Sequence, residues 1–191
     1  MEFKGFSMRW VTGGVTAVIA IAFVLNFSAS PAASGPAKQT KKEEAAVPAP
    51  PFSLMSLGGK PVTLKSQRGK WVFVNFWAKW CGPCVAEMPM IENLAKKMKG
   101  RPFEILAINV DDEEPDAIKT FMSRKGLTFT VLLDRNGTAS ESYGINALPM
   151  TFLVNPSGEV VAKALGPREW DSPEMLDYLT GLMKDGGMEK S

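Results

Sequence analysis

"FWAKWCGPCVAEMPM", residues 76–90, contains both cysteines of the chain, two residues apart and preceded by a tryptophan. Just upstream, "WVFVNFW", Trp71 to Trp77, is a nearly continuous β-branched and aromatic run, the pattern of a strand buried on both faces. Downstream, Met88, Ile91, Ala95 and Met98 recur at helical spacing, so a helix is expected from about Pro83 to Lys99. Pro89 removes one backbone donor inside that helix and predicts a kink. The cysteine pair therefore lies where a buried strand hands over to a helix.

Three readings of the pair compete. A structural disulfide closing so short a loop restrains the unfolded chain weakly. A Cu(I) site is chemically reasonable, because thiolates and thioethers are soft ligands and Met88, Met90 and Met150 are candidates to join them. A reversible redox pair fits the position best. The first sulfur of a Cys-x-x-Cys at a strand-to-helix junction sits at the helix N-terminus, where unpaired N–H groups and the helix dipole stabilise a thiolate. A free thiol is only about 3% thiolate at pH 7, so that stabilisation decides reactivity. Cys81 is then the attacking nucleophile and Cys84, one turn in, the resolving thiol.

Composition narrows the field further. The chain has 191 residues, 45% of them hydrophobic and 22% charged, which suits one globular domain with little left over. It contains no histidine, which removes Ser-His and Cys-His catalysis and any His-ligated metal site. Two cysteines cannot supply the four ligands of a structural zinc site. A formal charge of +2 argues against a nucleic-acid surface.

Working outward, "FSLMSLGGKPVTL" (52–64) reads as a β-hairpin turning at Gly58-Gly59. "FEILAINV" (103–110) and "FTVLLD" (129–134) read as buried strands, with a helix between them that opens near Pro115 and closes at Gly126. The acidic run Asp111 to Glu114 reads as solvated helix-start charge rather than a metal site. A short helical stretch is expected up to Tyr143. "MTFLVNPSGEVVAKAL" (150–165) reads as a second hairpin, followed by a helix from Pro173 to Met183 capped by Asp171 or Ser172. Strands alternate with helices, so an α/β fold with a central sheet is expected over 52–184, leaving 185–191 as a tail.

The N-terminus is different. Lys4 and Arg9 precede an uncharged apolar run from Val11 to Phe27, read as a signal-anchor over residues 1–27 with the following chain exported. Small residues at Ser28, Ala29, Ser30 and Ala32 keep open the alternative of a cleaved signal and a soluble periplasmic domain. Residues 28–51 are rich in alanine and proline and read as a linker, with a coil reach of roughly 27 Å.

"WCGPC" after "NFWAK", with "YGINALPMTFLVNPSGEVV" downstream, resembles the thioredoxin superfamily, and within it the membrane-anchored ResA/TlpA branch of thiol-disulfide oxidoreductases. The resemblance implies a thioredoxin fold, a central mixed sheet flanked by helices, here with an N-terminal hairpin extension. It implies that Pro149 is a cis-proline opposite the Cys81–Cys84 disulfide, with Leu148 and Met150 flanking a substrate groove that Trp80, Gly82 and Pro83 help to form. Trp77 is read either as a second aromatic wall or as core. Thioredoxins carry a buried aspartate where this chain has Asn75, which cannot do proton work. The branch pattern instead places a glutamate at position 87, three residues from Cys84, so Glu87 is expected to exchange a proton with the resolving thiol.

The Gly-Pro dipeptide of reducing thioredoxins favours reductase over oxidase or isomerase. The resemblance further implies protein disulfide substrates, apocytochrome c among them, and a membrane thiol-reductant transporter as electron donor. It implies no cofactor or metal, a monomer, and an inner-membrane protein with a periplasmic domain. A copper chaperone using the same cysteines remains the alternative from another class.

Overall fold

All seven residues of the strand Trp71–Trp77 are buried, and its place in the sheet explains why. The computed structural model describes residues 47–185. It contains one eight-stranded mixed sheet. Across the sheet the strands run β1 (Val47–Pro48), β8 (Glu159–Leu165), β7 (Met150–Val154), β4 (Trp71–Trp77), β5 (Phe103–Asn109), β6 (Thr130–Leu133), β2 (Ser53–Ser56), β3 (Pro61–Thr63). The central strand β4 pairs in parallel with β5 and antiparallel with β7. β5 and β6 are also parallel, so each of these two connections must cross over through a helix. Those helices are α1 (Gly82–Lys97) and α2 (Pro115–Lys125).

Alternation along β4 divides the core into two layers. Trp71, Phe73 and Trp77 point to one side, where they meet Met88, Ile91 and Leu94 of α1, Ile118 and Met122 of α2, and Leu179 of α4 (Pro173–Asp185). Val72, Val74 and Phe76 point to the other, against Leu54, Leu64, Phe152 and Tyr143, the residue that ends the short helix α3 (Thr138–Ser142). Asn75 shares the α1 side with the aromatic residues, so the strand delivers one amide into an otherwise apolar layer.

Local signals place most boundaries. Gly126 ends α2 at φ 65°, a left-handed conformation that glycine adopts without strain. The Oγ of Ser172, rather than the Asp171 carboxylate, accepts the Met175 N–H at 3.2 Å at the start of α4. The expected hairpin over 52–64 forms as β2 and β3 and joins the sheet through β6. Two departures are small. Helix α1 starts at Gly82, one residue early, because Cys81 itself is the N-cap. Val47–Pro48, within the stretch read as linker, pairs with Val160 and Glu159 of β8, a tertiary contact with no local signature.

Among the described residues no helix is long and apolar enough to cross a membrane. The apolar segment 1–27, most of the linker and the tail from 186 onward lie outside the described residues.

Helix α1 carries the cysteines, so its packing underlies the site. Ile91 is fully buried between α1 and the sheet. Ile91→Ala is expected to lower stability by about 2–5 kcal/mol in urea denaturation. A loss below about 1 kcal/mol would show that this face does not hold the helix in place.

Candidate active site

Strand β4 ends at Trp77, and four residues later the chain enters α1 on Cys81. The Sγ of Cys81 occupies the N-cap position and accepts the Cys84 N–H at 3.2 Å. The two sulfurs form a disulfide, with the Cα atoms 5.3 Å apart. Cys81 keeps 6% of its surface accessible and Cys84 only 1%, so attack from outside reaches Cys81 first. Between them Gly82 and Pro83 are exposed, and Pro83 occupies the first turn, where its missing N–H costs nothing.

The loop leading into the pair is tied from below. The backbone N–H of Lys79 donates to Asp111 Oδ2 at 2.9 Å, and Asn109 Nδ2 donates to the same oxygen at 2.6 Å. Asp111 is 3% exposed. Its expected role as solvated helix-start charge is therefore corrected: the carboxylate is turned inward to hold the cysteine loop. The rest of the acidic run behaves as solvated charge, with Glu113 paired to Lys79 and Glu114 to Arg135.

The two tryptophans separate cleanly. Trp77 is fully buried and stacks on Phe121, with ring centroids 5.7 Å apart, so it belongs to the core. Trp80 is 73% exposed beside the disulfide. It forms one wall of a groove of about 520 Å³ whose other sides include Val110, Arg135, Ile145 and Leu148. The Leu148–Pro149 bond is cis, and Pro149 is buried. Met150 pairs with Phe76, which places Pro149 at the sheet end from which the cysteine loop departs.

Met150 itself is corrected. Its side chain is 2% exposed and packs with Phe76, Tyr143 and Phe152 in the layer away from α1, because Met150 pairs directly with Phe76 of β4 and faces the same side of the sheet. Met88 is buried in the opposite layer. The sheet thus separates these two thioethers, which cannot converge on the cysteines as a shared copper ligand set.

Glu87 lies one helical turn beyond Cys84 and is completely buried. Its Oε1 accepts from Asn75 Nδ2 at 3.0 Å. Its Oε2 accepts from the Trp170 indole N–H at 2.8 Å and from the Arg168 backbone N–H at 3.3 Å. Asn75 also donates to Thr151 Oγ1 at 2.9 Å, linking β4, β7 and α1 through one amide. Burial pushes the Glu87 pKa up, while the hydrogen bonds from Trp170, Asn75 and Arg168 pull it down, and burial wins. A carboxyl so placed can hold or release a proton within one turn of the resolving sulfur. Neither Trp170 nor Arg168 could be found from the sequence, since both lie more than 80 residues away and follow no motif.

The model of the family described as Redoxin matches residues 44–179. The chain belongs to that family. It is 42% identical over 138 residues to the thiol-disulfide oxidoreductase ResA of Bacillus subtilis, covering 72% of this chain and 75% of that one. A ResA from Bacillus anthracis is 38% identical over 131 residues, covering 69% and 74%. Among solved structures, a thioredoxin-family thiol:disulfide interchange protein from Chlorobium tepidum superposes with a TM-score of 0.61 at 32% identity, over 72% of this chain and 95% of that one. StoA from Bacillus subtilis does so with 0.59 at 27%, over 71% and 98%. The fold is that of thioredoxin, and the chain is a thiol-disulfide oxidoreductase with Cys81–Cys84 as its disulfide.

The buried carboxyl has a measurable signature. A raised native pKa means that the folded state holds the Glu87 proton more tightly than the unfolded chain, whose value is near the ordinary 4.5. Its contribution to stability is therefore fully present below that pH and lost as pH rises through the raised value. Urea denaturation of the oxidised protein across pH should show wild type losing stability relative to Glu87→Gln above about 4.5. Wild type gaining on the variant instead would mean that the three donors outweigh burial.

Proposed function

We propose that this oxidoreductase works as a reductase of protein disulfides outside the cytoplasm, held near the membrane by residues 1–27 and the following linker. The observation that carries the reading is the asymmetry of the pair: one sulfur at the exposed end of α1, the other buried one turn from an ionisable carboxyl. In the forward half-cycle the Cys81 thiolate attacks a substrate disulfide. A Cys81–substrate bond forms and the first substrate sulfur leaves with the electron pair. Cys84 then gives its proton to the Glu87 carboxylate, and its sulfur attacks Cys81. The Cys81–Cys84 bond forms, the mixed disulfide breaks, and the second substrate sulfur departs reduced. The substrate disulfide becomes two thiolates, which take protons from solvent, while the enzyme takes up the disulfide and Glu87 holds the Cys84 proton.

The groove beside Trp80 and Leu148 is the place for the substrate chain, with Gly82 and Pro83 exposed between the sulfurs and the buried Pro149 next to Leu148. The likeness to ResA proteins and the Gly-Pro dipeptide favour the reducing direction. The resemblance to the ResA/TlpA branch also favours apocytochrome c thiols as substrate and a membrane thiol-reductant transporter as the donor that resets the pair.

The reduction potential of the Cys81–Cys84 couple tests the direction. Equilibration with dithiothreitol or glutathione buffers, scored by thiol alkylation, should give a value near or below about −230 mV, in the thioredoxin and glutaredoxin range. A value above about −180 mV would place the chain with the oxidising members of the fold and reverse the proposed electron flow.

A further inference from the structure

The carboxyl of Glu87 is held by donors alone. An indole N–H and a backbone N–H cannot accept a proton, and the Asn75 contact is made through its NH₂ group. A charged carboxylate satisfies all three, whereas the O–H of a neutral carboxyl has no acceptor among them. The cage therefore opposes the burial that favours the neutral form. How far the donors offset burial depends on how firmly they are held.

The shortest of the three contacts comes from Trp170, in the connection between β8 and α4. Its ring is fixed independently of Glu87: it is 5% exposed and packs edge-on against Phe73 of β4, centroids 4.8 Å apart at 87°. The next residue is fastened to α1 twice. Asn93 Nδ2 donates to Asp171 Oδ2 at 2.8 Å, and Lys97 Nζ donates to the Asp171 carbonyl at 2.8 Å. The indole is thus presented to Glu87 already oriented, so little ordering entropy remains to be lost when the bond forms.

We propose that Trp170 is a positioning residue, whose clamped indole N–H holds the Glu87 carboxylate one turn from Cys84 and favours its charged, proton-accepting form. The inference rests on the proton exchange between Glu87 and Cys84 proposed above. The groups facing Glu87 are Cys84 on its own helix, Asn75 from β4, and Trp170 and exposed Arg168 from the β8–α4 connection. Of these Arg168 carries the fixed charge, which also favours the carboxylate. Removing the indole donor while keeping an aromatic ring therefore has a defined sign: the protonation midpoint of Glu87 moves to higher pH.

The test uses the full-length chain labelled with ¹³C at glutamate carboxyls, with the Glu87 resonance assigned through Glu87→Gln. Trp170→Phe keeps the ring against Phe73 and removes the N–H. An upward shift of the Glu87 midpoint in this variant supports the proposal, and an unchanged midpoint overturns it. The unmodified protein supplies a second readout should the variant not fold. The Trp170 indole ¹H–¹⁵N resonance must titrate with the same midpoint as the Glu87 carboxyl, and an indole indifferent to that titration overturns the proposal. The pH profile of mixed-disulfide resolution, measured in the same two proteins, separates the two claims. A profile that follows the carboxyl midpoint supports both. A profile that stays still while the midpoint moves supports the Trp170 contact and removes Glu87 from the proton path to Cys84.

Discussion

Helix α1 begins on a sulfur. Helix N-caps are usually Ser, Thr, Asp or Asn, whose oxygens accept strongly from the first-turn N–H groups. Here the cap is Cys81, and in the disulfide its sulfur accepts only weakly, from the Cys84 N–H at 3.2 Å. When the disulfide opens, a thiolate in the same position becomes a stronger, charged acceptor for that N–H. The constraint that starts the helix is therefore the one that stabilises the reactive anion. The features around it serve this placement: the tie from Asp111 to the loop, the exposed Trp80, and the proline just before β7.

Behind the sulfurs, a strand buried on both faces carries one amide at Asn75, and that amide meets a carboxyl from α1. Burying a carboxyl is costly unless it is hydrogen-bonded or neutral. The fold meets the requirement by bringing a backbone N–H and an indole N–H from the far end of the chain onto the oxygen Asn75 does not reach. The last crossing of the chain over the sheet, from β8 into α4, thus completes the interior of the site as well as closing the core.

Much of this was legible in the sequence, for reasons that differ element by element. The uninterrupted apolar run of 71–77 announces a central strand, because no other environment hides both faces. Pro115 and Gly126 bracket α2 through the backbone geometry each one favours, and Gly58-Gly59 marks the hairpin. Glu87 is singled out by the resemblance to the ResA/TlpA branch, but whether it is buried or solvated depends on partners that the motif does not reveal. Asn75, which reads as a lost proton carrier, is instead a donor to that carboxyl. Asp111 reads as one of four surface acids because only the fold brings it beneath Lys79. Met150 reads as a groove residue by adjacency to Pro149, yet its pairing with Phe76 turns its side chain into the core layer away from α1. Local backbone preference is written locally, whereas pairings across 80 residues are set by the assembled sheet.

The most direct test is alkylation of the reduced chain by iodoacetamide across pH, with each cysteine followed separately by mass spectrometry. If the start of α1 stabilises an accessible Cys81 thiolate, Cys81 is modified well below the pH range in which a free thiol reacts, while Cys84 is spared. Modification of Cys84 first, or of Cys81 only in the free-thiol range, would contradict the assignment of nucleophile and resolving thiol.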